Sequence, residues 1–114
     1  MTIDKVTAKS YTLYTEEGHW LGQVVLTSDG MFAAVTDYGN FSYTWRSYGE
    51  QEFKEFILSL NTSYFATKMA GGMAYVAFGK KIDKAADRFA EMILPALKKA
   101  LREELEPAQQ TDNQ

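Results

Sequence analysis

Few residues in this sequence are spaced for catalysis. His19 is the single histidine in 114 residues, and cysteine is absent. One imidazole beside Trp20 falls short of the His, Cys and carboxylate sets from which metal sites are built. Without cysteine there is no thiolate ligand, sulfur nucleophile or disulfide framework. Glu16 and Glu17 are adjacent, so in extended chain they point to opposite faces. They read as solvation of a turn, not as an acid/base pair. No Gly-x-Ser-x-Gly elbow, His-Glu-x-x-His helix or Walker A loop occurs. Gly71-Gly72 lacks the preceding strand and the following Lys-Ser or Lys-Thr of a phosphate loop, and reads as a helix stop. Asn61-Thr62-Ser63 matches a glycosylation acceptor but reads more simply as a helix cap. The expectation is a protein that is not an enzyme and needs no cofactor or metal.

The chemistry that is concentrated is aromatic. Tyr38, Phe41, Tyr43, Trp45 and Tyr48 fall within eleven positions. Phe41, Tyr43 and Trp45 alternate with Asn40, Ser42, Thr44 and Arg46, the period of a strand with one aromatic face. Such a face is either the anchor of a sheet core or a sticky surface. Tyr38, Asn40, Arg46 and Tyr48 sit at the ends of the run, and Tyr and Arg are enriched at binding hot spots. Tyr43 and Trp45 are anchors or core, and the sequence leaves both open.

The elements that would position these residues divide the chain in two. Lys5 to Tyr14 reads as a strand, Glu16-Glu17-Gly18 as a turn, and Trp20 to Thr27 as a second strand. That strand would place Trp20, Val24 and Leu26 on one face and Leu21 and Val25 on the other. Ser28-Asp29-Gly30 is a hairpin signal. Met31 to Thr36, the turn Asp37-Tyr38-Gly39-Asn40 and Phe41 to Arg46 complete a four-stranded antiparallel meander. Ser47 and Glu50 fit a capping box. Phe53, Phe56, Ile57 and Leu60 follow with helical spacing. Asn61-Thr62-Ser63 breaks that helix and caps a short one, Tyr64 to Ala70, stopped by Gly71-Gly72. Met73 to Phe78 is apolar and fits a connector, a strand or a helical turn. From Lys81 to Leu105 a long helix places Ile82, Ala86, Phe89, Ile93, Leu97, Ala100 and Leu101 on one side, and Pro95 should kink or split it. The polar tail 107–114 should be disordered.

Strands followed by helices imply an α+β domain over residues 1–106, with helices on one sheet face and the other face open. A chain of this length buries enough surface to fold as one unit. Its net charge of −3 argues against a generic nucleic-acid binder. On the long helix, seven basic residues interleave with Asp83, Asp87, Glu91, Glu103, Glu104 and Glu106, the pattern of a solvated face. No apolar run approaches a membrane span, and the lack of cysteine favours the cytoplasm.

Val35-Thr36-Asp37-Tyr38-Gly39-Asn40-Phe41-Ser42-Tyr43-Thr44-Trp45, with Phe53-Lys54-Glu55-Phe56-Ile57 and Ser63-Tyr64-Phe65 beyond it, resembles a pattern in small bacteriophage and prophage proteins. The resemblance covers about a third of the chain. It implies a phage origin, and with it the cytoplasm of a host cell. It carries no activity but favours small acidic proteins that bind and inhibit a host complex. The functional expectation is therefore a non-catalytic module that docks on a host protein through Tyr38, Asn40, Tyr43, Trp45, Arg46 and Tyr48. Its acidity would compete for phosphate-binding Lys and Arg of a nucleic-acid-processing partner. The alternatives are a nucleic-acid accessory protein stacking bases on Tyr43 and Trp45, and a homo-oligomeric structural protein.

Overall fold

In a computed structural model of the protein, the described residues are 5–72 and 80–105. Four strands come first: β1 (Ala8–Tyr14), β2 (Trp20–Thr27), β3 (Met31–Thr36) and β4 (Gly39–Thr44). They form one antiparallel sheet in the order β1-β2-β3-β4. Helices α1 (Phe53–Leu58), α2 (Thr62–Gly72) and α3 (Lys80–Leu105) follow. This is the α+β meander-then-helices architecture that the sequence predicts. The readings of Met73 to Phe78 and of the tail 107–114 lie outside the described residues.

Each hairpin rests on local chemistry. At Ser28-Asp29-Gly30 the glycine carries the positive φ of 103°. A Cβ there would stand 2.2 Å from the Trp45 carbonyl oxygen, which itself neighbours a ladder bond from Trp45 N–H to Gly30 O. At the β3–β4 turn the Thr36 hydroxyl donates to Gly39 O at 2.7 Å and accepts the Tyr38 N–H at 3.0 Å. Gly39 takes φ 126°. Because this turn closes on Gly39, β4 begins and ends two residues earlier than its aromatic alternation suggests.

Strand β2 departs most from its expected pattern. Leu13 pairs with Gly22 but Tyr14 pairs with Trp20, so Trp20 and Leu21 together oppose one residue. This bulge breaks the period of two. Leu21 turns into the core beside Val24 and Leu26, and Trp20 turns out of it. The expected grouping of Trp20 with Val24 and Leu26 is therefore corrected. Gly22 follows because a Cβ would meet Thr36 Cγ2 at 2.4 Å.

The helices cover one sheet face through aromatic contacts. Phe89 of α3 is fully buried, its ring 4.4 Å from Phe41, 6.0 Å from Phe65 and 6.2 Å from Phe32. Phe65 meets Phe32 edge-on at 5.2 Å. Edge-to-face and offset pairs of this kind add stability beyond area burial. Ala86, Ala90, Ile93, Leu94, Leu97 and Leu101 continue the buried stripe of α3.

Two local readings yield to packing. The Ser47/Glu50 capping box does not form; α1 starts after Glu52, which makes no side-chain cap bond. Residues 45–52 instead cross from the sheet to the helical layer, with Gly49 at φ 87°. The Tyr48 hydroxyl donates to Ser28 O at 3.0 Å along this path. Asn61 does cap α2, its Oδ1 accepting the Tyr64 N–H at 2.8 Å. That helix takes in Gly71 and Gly72, which are its last described residues, and it buries Phe65, Ala66 and Met69 in the core. Pro95 does not split α3, which continues for 26 residues. Pro95 and Glu91, whose carbonyl loses its partner, are both exposed, so water can satisfy the free acceptor.

Two substitutions test this account by urea unfolding. Phe89→Ala should lower stability by about 3–5 kcal/mol, the range for emptying an aromatic site. Pro95→Ala should raise it by about 1 kcal/mol or more, since the helix persists against an unfavourable residue.

Candidate protein-binding face

Among the described residues, the helices lie on one side and leave the other sheet face bare. Alternation and register place its side chains in three rows across the strands. The first runs Thr12, Gln23, Val35, Asn40. The second runs Ser10, Val25, Ala33, Ser42. The third runs Ala8, Thr27, Met31, Thr44, where the Met31 N–H donates to Thr27 Oγ1 at 2.9 Å. Tyr14 and Trp20 extend the face at its end, and Trp20 is there only because of the bulge. No position on this face is charged, in a chain with 24% charged residues.

The face is also where apolar surface is exposed. Among the described residues, Tyr14 is 56% exposed, Val35 56%, Trp20 43% and Met31 43%. Small side chains at Ala33 and Ser42 leave a shallow depression of about 370 Å³ between β2, β3 and β4. Charge resumes at the turns. Exposed Glu16, Glu17 and Asp37 flank the Tyr14/Trp20 end, and Asp29 stands at the other. An apolar centre with a charged rim is the anatomy of a protein interface.

The sequence-predicted residues do not form one patch. Asn40 lies on the open face opposite Val35. Arg46 is exposed just beyond the end of β4. Tyr38 is half-buried at the β3–β4 turn beneath the Arg88 guanidinium, 5.9 Å from its ring centre. Tyr48 is half-buried against Phe53 and Phe56 at 5.2 and 5.5 Å. Tyr43 is half-buried on the helical side, with Lys68 Nζ 5.5 Å above it and 5.4 Å above Tyr64. Trp45 is core: 5% exposed, T-shaped against Tyr43 at 4.7 Å, its Nε1 donating to the Tyr64 hydroxyl at 3.2 Å. A buried Trp45 offers no ring for stacking bases. Sequence reasoning missed Tyr14, Trp20, Met31 and Val35. The usable signal was the adjacency of Trp20-Leu21-Gly22, where a glycine beside two large apolar residues suggests a bulge.

A chain of the described geometry and motifs can be set beside known proteins. A model of the Phage_phiTE_072 phage family matches residues 1–87. The chain belongs to this family. The phage family match spans the whole sheet, α1 and α2, and the first part of α3. No curated protein and no solved structure matches the chain. Among the described residues, no helix is long and apolar enough to cross a membrane, and no cluster of His, Cys or carboxylates could hold a metal ion.

A second polar cluster lies on the helical side. Near the end of α3, Glu104 accepts hydrogen bonds from Lys9 Nζ and, at 2.5 Å, from the Tyr11 hydroxyl. Lys54 Nζ stands 3.4 Å away. The bonds from Lys9 and Tyr11 hold the Glu104 carboxyl down at about 2, and burial together with Glu104 pushes the Tyr11 hydroxyl far above its usual value. These cations offset a carboxylate placed unfavourably near a helix C-terminus. Beside them a cleft of about 290 Å³ is bounded by β1, β2 and the segment leading into α1.

Because the folded-state pKa of Glu104 lies below its ordinary 4.5, its stabilisation is complete above that value and drains as the pH falls toward 2. Glu104→Gln should lower stability at pH 7 by roughly 1–2 kcal/mol. It should also flatten the fall of stability between about pH 4.5 and 2 in urea titrations.

Proposed function

We propose that this phage-family protein is a non-catalytic binding module that docks the open face of its sheet on a host protein and blocks that protein's working surface. The observation that supports this most is the uncharged face bearing exposed Tyr14, Trp20, Met31 and Val35. An aromatic pair on a rigid sheet loses little conformational freedom on binding, and Trp and Tyr are the usual anchors of interfaces. The acidic rim of Glu16, Glu17, Asp29 and Asp37 selects a partner with a basic margin around an apolar centre. A surface that binds nucleic acid has such a margin, so a host complex that processes nucleic acid is the fitting target. The mechanism is steric, and the rim steers the encounter.

Of the residues first read as a docking set, Asn40 belongs to this face and Arg46 borders it. Tyr38 and Tyr48 act indirectly, by holding the β3–β4 turn and the segment into α1. Tyr43 and Trp45 fix β4 to the helices.

Capture from host lysate with tagged protein tests the reading. A partner that survives nuclease treatment should be retained by the wild-type chain and by Arg102→Ala on the helical side. It should be lost by Trp20→Ala/Val35→Glu, whose exposed positions leave folding intact. Its association should slow as salt rises. A partner released by nuclease, or one held equally by the double variant, would overturn the proposal.

A further inference from the structure

The two outer strands of the sheet are guarded unequally. An edge strand presents unpaired N–H and C=O groups, and natural proteins blunt such edges with Lys, Pro or a bulge. β1 has Lys9 and sits against the bulge at Trp20-Leu21. β4, Gly39-Asn40-Phe41-Ser42-Tyr43-Thr44, has no charge, no proline and no bulge. The Trp45 N–H bonds inward to Gly30 O. Inward and outward residues alternate along an antiparallel strand, so Phe41 and Tyr43 also bond inward to β3. Asn40, Ser42 and Thr44 therefore direct their backbone groups outward, six groups in all. Within the described residues β4 pairs with β3 alone, and none of the six groups meets a backbone partner.

We infer that β4 is a pairing edge for a second copy of this chain, antiparallel about a twofold axis through Ser42. In that register Ser42 opposes Ser42, and Asn40 opposes Thr44 of the second copy, so the six outward groups of each edge are satisfied reciprocally. The interface is isologous, as twofold dimers require. The chain carries a net charge of −3, but β4 itself has no charge, so no like charges are brought directly opposite one another along this line to oppose self-pairing. On the helical side, half-buried Tyr43 comes beside Phe41 of the second copy. On the open side the two uncharged faces join into one eight-stranded surface, which doubles the docking area. Pairing through one six-residue edge buries less than the roughly 800 Å² per partner of a standard stable interface. The dimer is accordingly weak and concentration-dependent.

The test uses the full chain, which has no cysteine to confuse it. Directly opposed residues of a hydrogen-bonded pair have Cα atoms about 5.5 Å apart, within disulfide reach. Under mild oxidation Ser42→Cys should cross-link to a dimer at least tenfold faster than Asn40→Cys, whose own counterpart lies several residues away along the edge. Sedimentation velocity should show wild-type protein passing from monomer toward dimer as concentration rises from about 1 to several hundred μM, the range of a weak interface. Ser42→Lys places two ammonium groups at the axis on an exposed position. It should weaken the dimer at least tenfold with an unchanged circular dichroism spectrum and melting temperature. A chain that stays monomeric throughout, or equal cross-linking at positions 40 and 42, would overturn the inference. So would a dimer unaffected by Ser42→Lys.

Discussion

The aromatic contact between Phe89 and the rings of Phe32, Phe41 and Phe65 is the constraint on which the rest of this structure depends. It joins α3 to two strands and to α2 at one buried point. A three-helix layer can cover only one side of a four-stranded sheet, so fixing it there decides which side stays bare. Trp45 and Phe53 extend the same aromatic column toward α1, with ring centres 5.9 Å apart. The segment 45–52 is therefore drawn across the sheet end, and Tyr48 is spent on holding it there. Aromatic residues that could have served a partner are used instead to bind the layers together.

What was legible in the sequence follows from the range of each signal. Turn chemistry is local, so Asp29-Gly30 and Gly39 marked their hairpins correctly. The stripe of α3 runs from Ile82 to Leu101, about five turns, and no tertiary contact reverses a pattern that long. The misread features each depend on something distant. Ser47 and Glu50 satisfy a capping rule, but the bond from Tyr48 to Ser28, across twenty positions, carries that segment elsewhere.

The open face was hidden for a sharper reason. A single extra residue reverses every side chain beyond it. The two-versus-one pairing at Tyr14 moves Leu21 inward and Trp20 outward, and no propensity scale registers it. Read with an unbroken period, Trp20 is a core residue and the open face has no tryptophan. Read with the bulge, the same residue becomes the largest exposed apolar side chain among the described residues. The aromatic strand drew attention because its residues are clustered in sequence. The open face gathers its residues from four strands and has no linear signature beyond its lack of charge.

That lack of charge separates two ways of tolerating exposed apolar surface. A chain that merely needed solubility would place Lys or Glu at Val35, Ala33 or Ser42, as solvated sheet faces commonly do, and no packing term would oppose it. Among the described residues, charge is abundant on the helices and turns and missing from one sheet face and one edge. On the helical side charges are used structurally, as where Lys9 and Lys54 hold Glu104. Even Lys9, the lone charge in β1, faces the helices and not the open side. The uneven placement leaves the face free of ions while charge gathers at its rim. A surface arranged in that way loses little free energy when it is desolvated, because no ion has to be stripped of water before contact.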